Sequence, residues 1–175
     1  MHHKALRDLL SLTLLSLALL SPSLVCAMPT TAPDAVFTPI LPKLKATKVP
    51  VFLPGDTNRE GELGKAESPY ASIEDISSSR YEVELGYGPD CNGGGACHIG
   101  TITGEKLTPK SPKLKGKKIK LAAGQTAYFV DATCGANCSD STLSWDLGSF
   151  RYSVAMKAEK PEILTRIANS FYPIK

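Results

Sequence analysis

Few side chains in this sequence have the types and spacing that catalysis requires. His98 is the only histidine beyond residue 3, and one histidine cannot build a two-histidine metal site. It lies near no Gly-x-Ser-x-Gly nucleophile motif, so we interpret it as a cap on the neighbouring cysteine loop. Glu82 and Glu84 alternate with apolar residues, and we therefore expect both carboxylates to face water. No catalytic residue is predicted, although two carboxylates from distant strands could still form a glycosidase pair.

Four cysteines form two closely spaced pairs, which are Cys91 with Cys97 and Cys134 with Cys138. The five residues between Cys91 and Cys97 exceed the two to four of a usual zinc pair, and oxidation competes with metal binding outside the cytoplasm. Neither separation fits the two-residue spacing of thioredoxin-like redox motifs. We therefore predict structural disulfides. Loop-closure entropy favours bonds that cross between the pairs, because longer loops gain more stability. The flexible residues within each short interval favour local bonds instead, and we expect the two local bonds.

An acidic stretch at residues 56–67 matches the twelve-residue calcium loop at several positions. A calcium ion needs six to eight oxygen ligands, wrapped by alternate residues around a glycine at the sixth position. Gly61 occupies that position, but prolines on both sides prevent the helices that flank such a loop. We therefore favour an acidic surface loop and no cofactor, with calcium as the alternative. The candidate calcium ligands are Asp56, Asn58, Glu60, Glu62 and Glu67.

Charge is segregated along the chain although the net charge is only +3. Residues 55–90 carry nine acids against three bases, whereas residues 110–120 carry six lysines and no acid. The lysines indicate either an anion-binding strip or a solvated loop and edge strand whose charges discourage pairing with other sheets, and we favour the loop and edge strand. Nucleic acid is not an expected partner, because no arginine or aromatic residue is interleaved with them. The six lysines are Lys110, Lys113, Lys115, Lys117, Lys118 and Lys120.

The first 27 residues have the pattern of a cleavable export signal. A basic start precedes an apolar run at residues 9–20, and Ala27 supplies a small residue for cleavage. The run is too short for a membrane anchor, and Val25 is a poor residue to precede a lipid-modified Cys26. Cleavage would remove Cys26 and leave an even set of cysteines for an oxidising compartment. We therefore predict a periplasmic or extracellular protein without a transmembrane segment.

The periodicity of the remaining chain predicts an α+β fold, mainly an antiparallel meander followed by an amphipathic helix packed on one face. Residues 1–27 are the predicted signal, residues 28–48 a proline-rich segment, and residues 49–175 a single disulfide-stabilised domain. Within residues 28–48, Asp34 is predicted to start a short helix that docks apolar residues on the domain. The clearest predicted strands cover residues 80–87, 142–146 and 150–157, with weaker ones at 49–53, 99–103, 117–121 and 126–133. Pro161 opens the predicted helix.

Several of these segments resemble parts of known exported proteins. The hairpin and helix at residues 143–170, including Trp145 and the Phe-Arg-Tyr-Ser-Val run at 150–154, resemble the closing unit of bacterial domains of unknown function in predicted lipoproteins and envelope sensors. The Val-Pro-Val-Phe-Leu-Pro run at 49–54 and both cysteine loops are similar to those of uncharacterised secreted cyanobacterial proteins. The resemblance implies an envelope location and carries over no catalytic residue.

Two functions are compatible with these observations. The first is a non-catalytic module of the bacterial cell envelope that binds a polymer, an ion or another protein. The second is a small exported hydrolase whose carboxylates come from separate strands. Carboxylates gathered in one cleft would favour the hydrolase, whereas acids scattered over a convex surface would favour the module.

Overall fold

The computed structural model describes residues 32–57, 69–91 and 95–174. The predicted α+β class is confirmed, because a large antiparallel sheet is followed by a C-terminal helix. In chain order the helical elements are a 3₁₀ helix (Ala35–Ile40), α1 (Leu41–Leu44) and α2 (Pro161–Asn169). The strands are β1 (Phe52–Pro54), β2 (Tyr70–Ile76), β3 (Arg80–Gly86), β4 (His98–Lys106), β5 (Lys117–Lys120), β6 (Thr126–Val130), β7 (Asp140–Leu147), β8 (Phe150–Lys157) and β9 (Phe171–Pro173).

Seven of the strands form one antiparallel sheet in the order β2-β3-β4-β8-β7-β6-β5. Strands β4 and β8 meet near its middle although about fifty residues separate them along the chain, and β2 and β5 are its two edges. Strands β1 and β9 form a separate antiparallel pair. The position of β5 agrees with our preferred interpretation of the lysine-rich segment as an edge strand.

The sheet has one apolar face and one polar face, because its strands alternate as half-buried strands do. The inner face carries residues with at most 6% exposure, including Tyr81, Ile102, Leu143, Val154 and Met156. The outer face carries the intervening polar residues, such as Glu82, Thr103, Ser144 and Ser153, which lie opposite one another across neighbouring strands. The outer face of the sheet is therefore where polar side chains from distant segments meet.

The inner face is covered from two directions. Helix α2 packs against β7 and β8 through Leu164, Ile167 and Ala168. At the other end of the chain, Asp34 caps the 3₁₀ helix by accepting from the Val36 amide at 3.2 Å. Phe37, Ile40 and Leu44 then join the same apolar core. The short docked helix predicted from Asp34 is thus present in the structure.

The closing hairpin connects β7 and β8 through Gly148 and Ser149. Gly148 has a φ of 61°, which favours glycine and suits a tight two-residue hairpin loop.

Among the described residues, none of the helices has the length and apolarity needed to cross a membrane.

Candidate functional site

A bulge in the sheet brings His98 to the outer face. Strands β3 and β4 pair regularly up to Leu85 and Gly100, but the next pair is Gly86 with His98. The bulge therefore shifts His98 out of the alternation that Gly100 and Ile102 follow on the inner face. Bulges re-aim side chains in this way and are common beside functional sites. Its effect here is to put His98 on the same face as Glu84.

His98 lies between two carboxylates from different strands. Its Nδ1 is 2.6 Å from Oε1 of Glu84 on β3, and its Nε2 is 2.8 Å from Oδ2 of Asp140 on β7. The side chains of His98 and Asp140 are 16% and 23% exposed, whereas that of Glu84 is only 3% exposed. This cluster links two segments that are more than forty residues apart in the sequence.

The cluster must hold an extra proton for both contacts to be hydrogen bonds. A neutral imidazole has one N–H donor and one lone-pair acceptor, whereas ionised carboxylates only accept. Burial lowers the pKa of His98, but the hydrogen bonds and charges of Glu84 and Asp140 outweigh burial and leave the pKa above its ordinary value of 6.5. We therefore place the extra proton on the ring, where the imidazolium donates to both carboxylates.

The cluster lies in a polar pocket of about 480 Å³, within the size range of small-ligand sites. Residues from both disulfide loops, including Gly95 and Asn137, line this pocket. We call it the two-loop pocket. Lys157 donates to the Gly95 carbonyl at 2.6 Å and so ties one loop to β8. The lining residues are Glu74, Glu82, Glu84, Gly95, Ala96, His98, Asn137, Cys138, Asp140 and Lys157.

The structure contains both local disulfides, Cys91–Cys97 and Cys134–Cys138. Cys91 is only 6% exposed, and its sulfur contacts Glu84 Oε1 at 3.9 Å. Gly86 makes this packing feasible, because a Cβ at that position would lie 2.4 Å from the Cβ of Cys91. The first disulfide thus packs directly against Glu84, which lines the two-loop pocket.

We expect the two disulfides to be reduced in sequence. Cys134 is exposed whereas Cys91 is buried, and the rate of reduction depends on access to the sulfur atoms. Limiting phosphine reductant at neutral pH should open Cys134–Cys138 first. Alkylation followed by peptide mapping measures this order. Equal labelling of all four cysteines at every time point would contradict it.

The other predicted site residues that the structure describes do not line the two-loop pocket. All six lysines of residues 110–120 are exposed, on β5 and on the segment before it, and Lys120 donates to the Gly124 carbonyl. Of the candidate calcium ligands, Asp56 pairs with Arg166, and the other four lie outside the described residues. No group of three metal-binding side chains suited to an ion occurs in residues 32–57, 69–91 and 95–174.

The solvent-facing interpretation of Glu84 is wrong. Glu84 does lie on the outer face, but the Cys91 disulfide and His98 cover it and leave the residue 2% exposed. Glu82 lies on the same strand and pairs with Arg80, leaving its side chain 23% exposed. His98 does more than cap the loop, because it joins β4 to β3 and β7.

Comparison of the chain with family models, curated proteins and solved structures finds no match. The resemblance to exported envelope proteins therefore remains a prediction.

Proposed function

We propose that this chain is an exported, non-catalytic binding module of the bacterial cell envelope that holds a small polar ligand in the two-loop pocket. The observation that carries the proposal is the Glu84–His98–Asp140 cluster in a pocket that residues of both disulfide loops also line. Buried charged groups are costly unless they are paired. A surface that gathers them beside an open pocket has the chemistry of a recognition site.

Two further observations support export and binding. Disulfides persist in oxidising compartments outside the cytoplasm, and the two loops that they close both contribute residues to the pocket lining. They also limit the freedom of the pocket margin. Less conformational entropy is then lost when a ligand binds, which favours affinity.

A second candidate function rests on one specific observation. Glu82 and Asp140 come from separate strands and line the same pocket, which is the arrangement that a hydrolase with two carboxylates requires. The His98 cluster argues for binding instead. A hydrolase of this kind needs one protonated carboxyl group as its general acid, whereas Asp140 contacts the His98 ring and Glu82 contacts Arg80, and basic neighbours favour the charged carboxylate. We therefore prefer the binding module.

The proposal is tested by thermal melting of the protein with compounds of distinct chemistry. A suitable panel contains neutral sugars, free amino acids, amines and sugar acids, because a ligand that binds only the folded state raises the melting temperature. We expect at least one class to stabilise the wild type. The Glu82→Gln substitution should weaken the binding of that ligand by about tenfold, the usual effect of removing a hydrogen bond to a charged group.

Glu105→Gln is the matched control. Glu105 and Glu82 both pair with Arg80 on the outer face, but only Glu82 lines the pocket. The binding function would be refuted if Glu82→Gln and Glu105→Gln reduced the stabilisation equally. It would also be refuted if no compound of the panel stabilised the protein. Glycoside cleavage that is lost in Asp140→Asn would establish the hydrolase instead.

A further inference from the structure

The charges around the two-loop pocket are unbalanced. Four acids line it, against His98 and Lys157 among its lining residues and Arg80, which pairs with one oxygen of Glu82 and is shared with Asp75 and Glu105. Lys157 directs its ammonium group to the Gly95 carbonyl rather than to a carboxylate among the contacts described. The pocket therefore attracts a positively charged group more strongly than a neutral or anionic one.

One cationic side chain of the protein itself already contacts two acids of the pocket. The imidazolium of His98 is an organic N–H cation supplied by the chain, and it donates to Glu84 and Asp140 at 2.6 and 2.8 Å. Such charge-assisted hydrogen bonds are short and strong. Glu84 and Asp140 are thus oriented to accept N–H donors.

The acids also differ in their access to a ligand. Glu84 is nearly enclosed, whereas the side chains of Glu82 and Asp140 are each 23% exposed. Asp140 has a second carboxylate oxygen beyond the Oδ2 that contacts His98, and Lys157 is its neighbour across β7 and β8. Glu74 on the edge strand β2 is also exposed, so an incoming ammonium group would reach Glu74, Glu82 and Asp140 before Glu84.

We propose that the ligand of the two-loop pocket carries a primary ammonium group, which donates hydrogen bonds to Glu82 and Asp140 beside the His98 cluster. This inference rests on the binding function proposed above and specifies its ligand class. The ammonium group leaves the contacts of His98 to Glu84 and Asp140 in place. Amines, and peptides with a free lysine side chain or amino terminus, have the required chemistry.

The test compares three five-carbon probes that differ mainly in charge. The probes are 1,5-diaminopentane, neutral 1,5-pentanediol and anionic glutarate, each titrated into ¹⁵N-labelled protein at low salt. We expect the diamine alone to shift the amide signals of Glu82, His98 and Asp140. Asp140→Asn should weaken diamine binding by about tenfold, and Glu105→Gln should leave it unchanged.

Each contrary outcome has a definite meaning. Equal binding of the diol at the same amides would overturn the ammonium inference and leave the pocket as a ligand site. Diamine shifts that persist unchanged in Asp140→Asn, or no shift by the diamine at all, would also overturn it. Failure of the binding function itself is detected separately by the melting panel. The binding function fails only if no class of compound stabilises the protein in a way that depends on Glu82.

Discussion

Replacing Gly100 by alanine should destabilise the protein by about 3 kcal/mol, near the upper end for overpacking a core. A Cβ at this position would lie 2.2 Å from the carbonyl oxygen of Ala155 and 2.8 Å from Cγ of Met156. The first of these atoms belongs to the backbone of β8, so the two strands must separate to relieve the contact. Gly100 therefore permits the close approach of β4 to β8.

Thermal unfolding with both disulfides intact measures the Gly100→Ala effect. For a domain of this size the melting temperature should fall by roughly 6 to 12 °C. Gly88→Ala is the matched control, because a Cβ there would meet nothing within 4 Å. Its stability should stay within about 0.5 kcal/mol of the wild type. An equal effect of both substitutions would contradict the close contact of β4 and β8.

Replacing His98 by glutamine should cost about 3 kcal/mol at pH 6, a typical loss when one partner of a buried ion pair is removed. Glu84 would keep its position beside the disulfide but lose the imidazolium that neutralises it. The double variant Glu84→Gln/His98→Gln should recover part of the loss, because no buried carboxylate then remains unpaired. Denaturant unfolding of the wild type, the two single variants and the double variant gives this comparison.

The cost of the His98 substitution should depend on pH. The pKa of His98 is raised in the folded state, so its stabilisation is complete below the unfolded value of about 6.5. That stabilisation is then lost as the pH rises through the folded pKa. The stability difference between the wild type and His98→Gln should therefore shrink above about pH 6.5. A constant difference from pH 5 to 9 would contradict the charged pairing.

Local sequence patterns predict the second half of the sheet well. The hairpin of β7 and β8 and the start of α2 lie where alternation, Gly148 and Pro161 place them. The helix is shorter than predicted by the apolar residues at helical spacing, which run from Ile163 to Phe171. It ends at Asn169, and Phe171 pairs with Pro54 in the β1–β9 ladder instead of continuing the helical stripe.

Strand β2 is missing from the predicted elements for a physical reason. Ile73 and Ile76 are its only large aliphatic residues, and a register shift between Ile73 and Asp75 interrupts their alternation. The strand is held by pairing with β3 along one edge. Its formation therefore depends on a neighbouring strand that its own pattern does not reveal.

The candidate site was harder to predict than the fold. Simple alternation along β4 assigns His98 to the inner face with Gly100 and Ile102, and only the bulge opposite Gly86 moves it to Glu84. The contact with Asp140 depends in addition on the order of β4, β8 and β7, which brings distant segments together. The sequence contains one signal for this arrangement, which is Gly86 five residues before Cys91. A side chain at residue 86 would collide with Cys91.

The most direct test of the His98 cluster is ¹⁵N NMR of the imidazole ring across a pH titration. The His98→Gln spectrum identifies the resonances, because it lacks only this ring. We expect both ring nitrogens to be protonated at pH 6, with a titration midpoint above that of an ordinary histidine. A neutral ring with one unprotonated nitrogen at pH 6, or a midpoint below 6.5, would show that His98 does not hold Glu84 and Asp140 as an imidazolium.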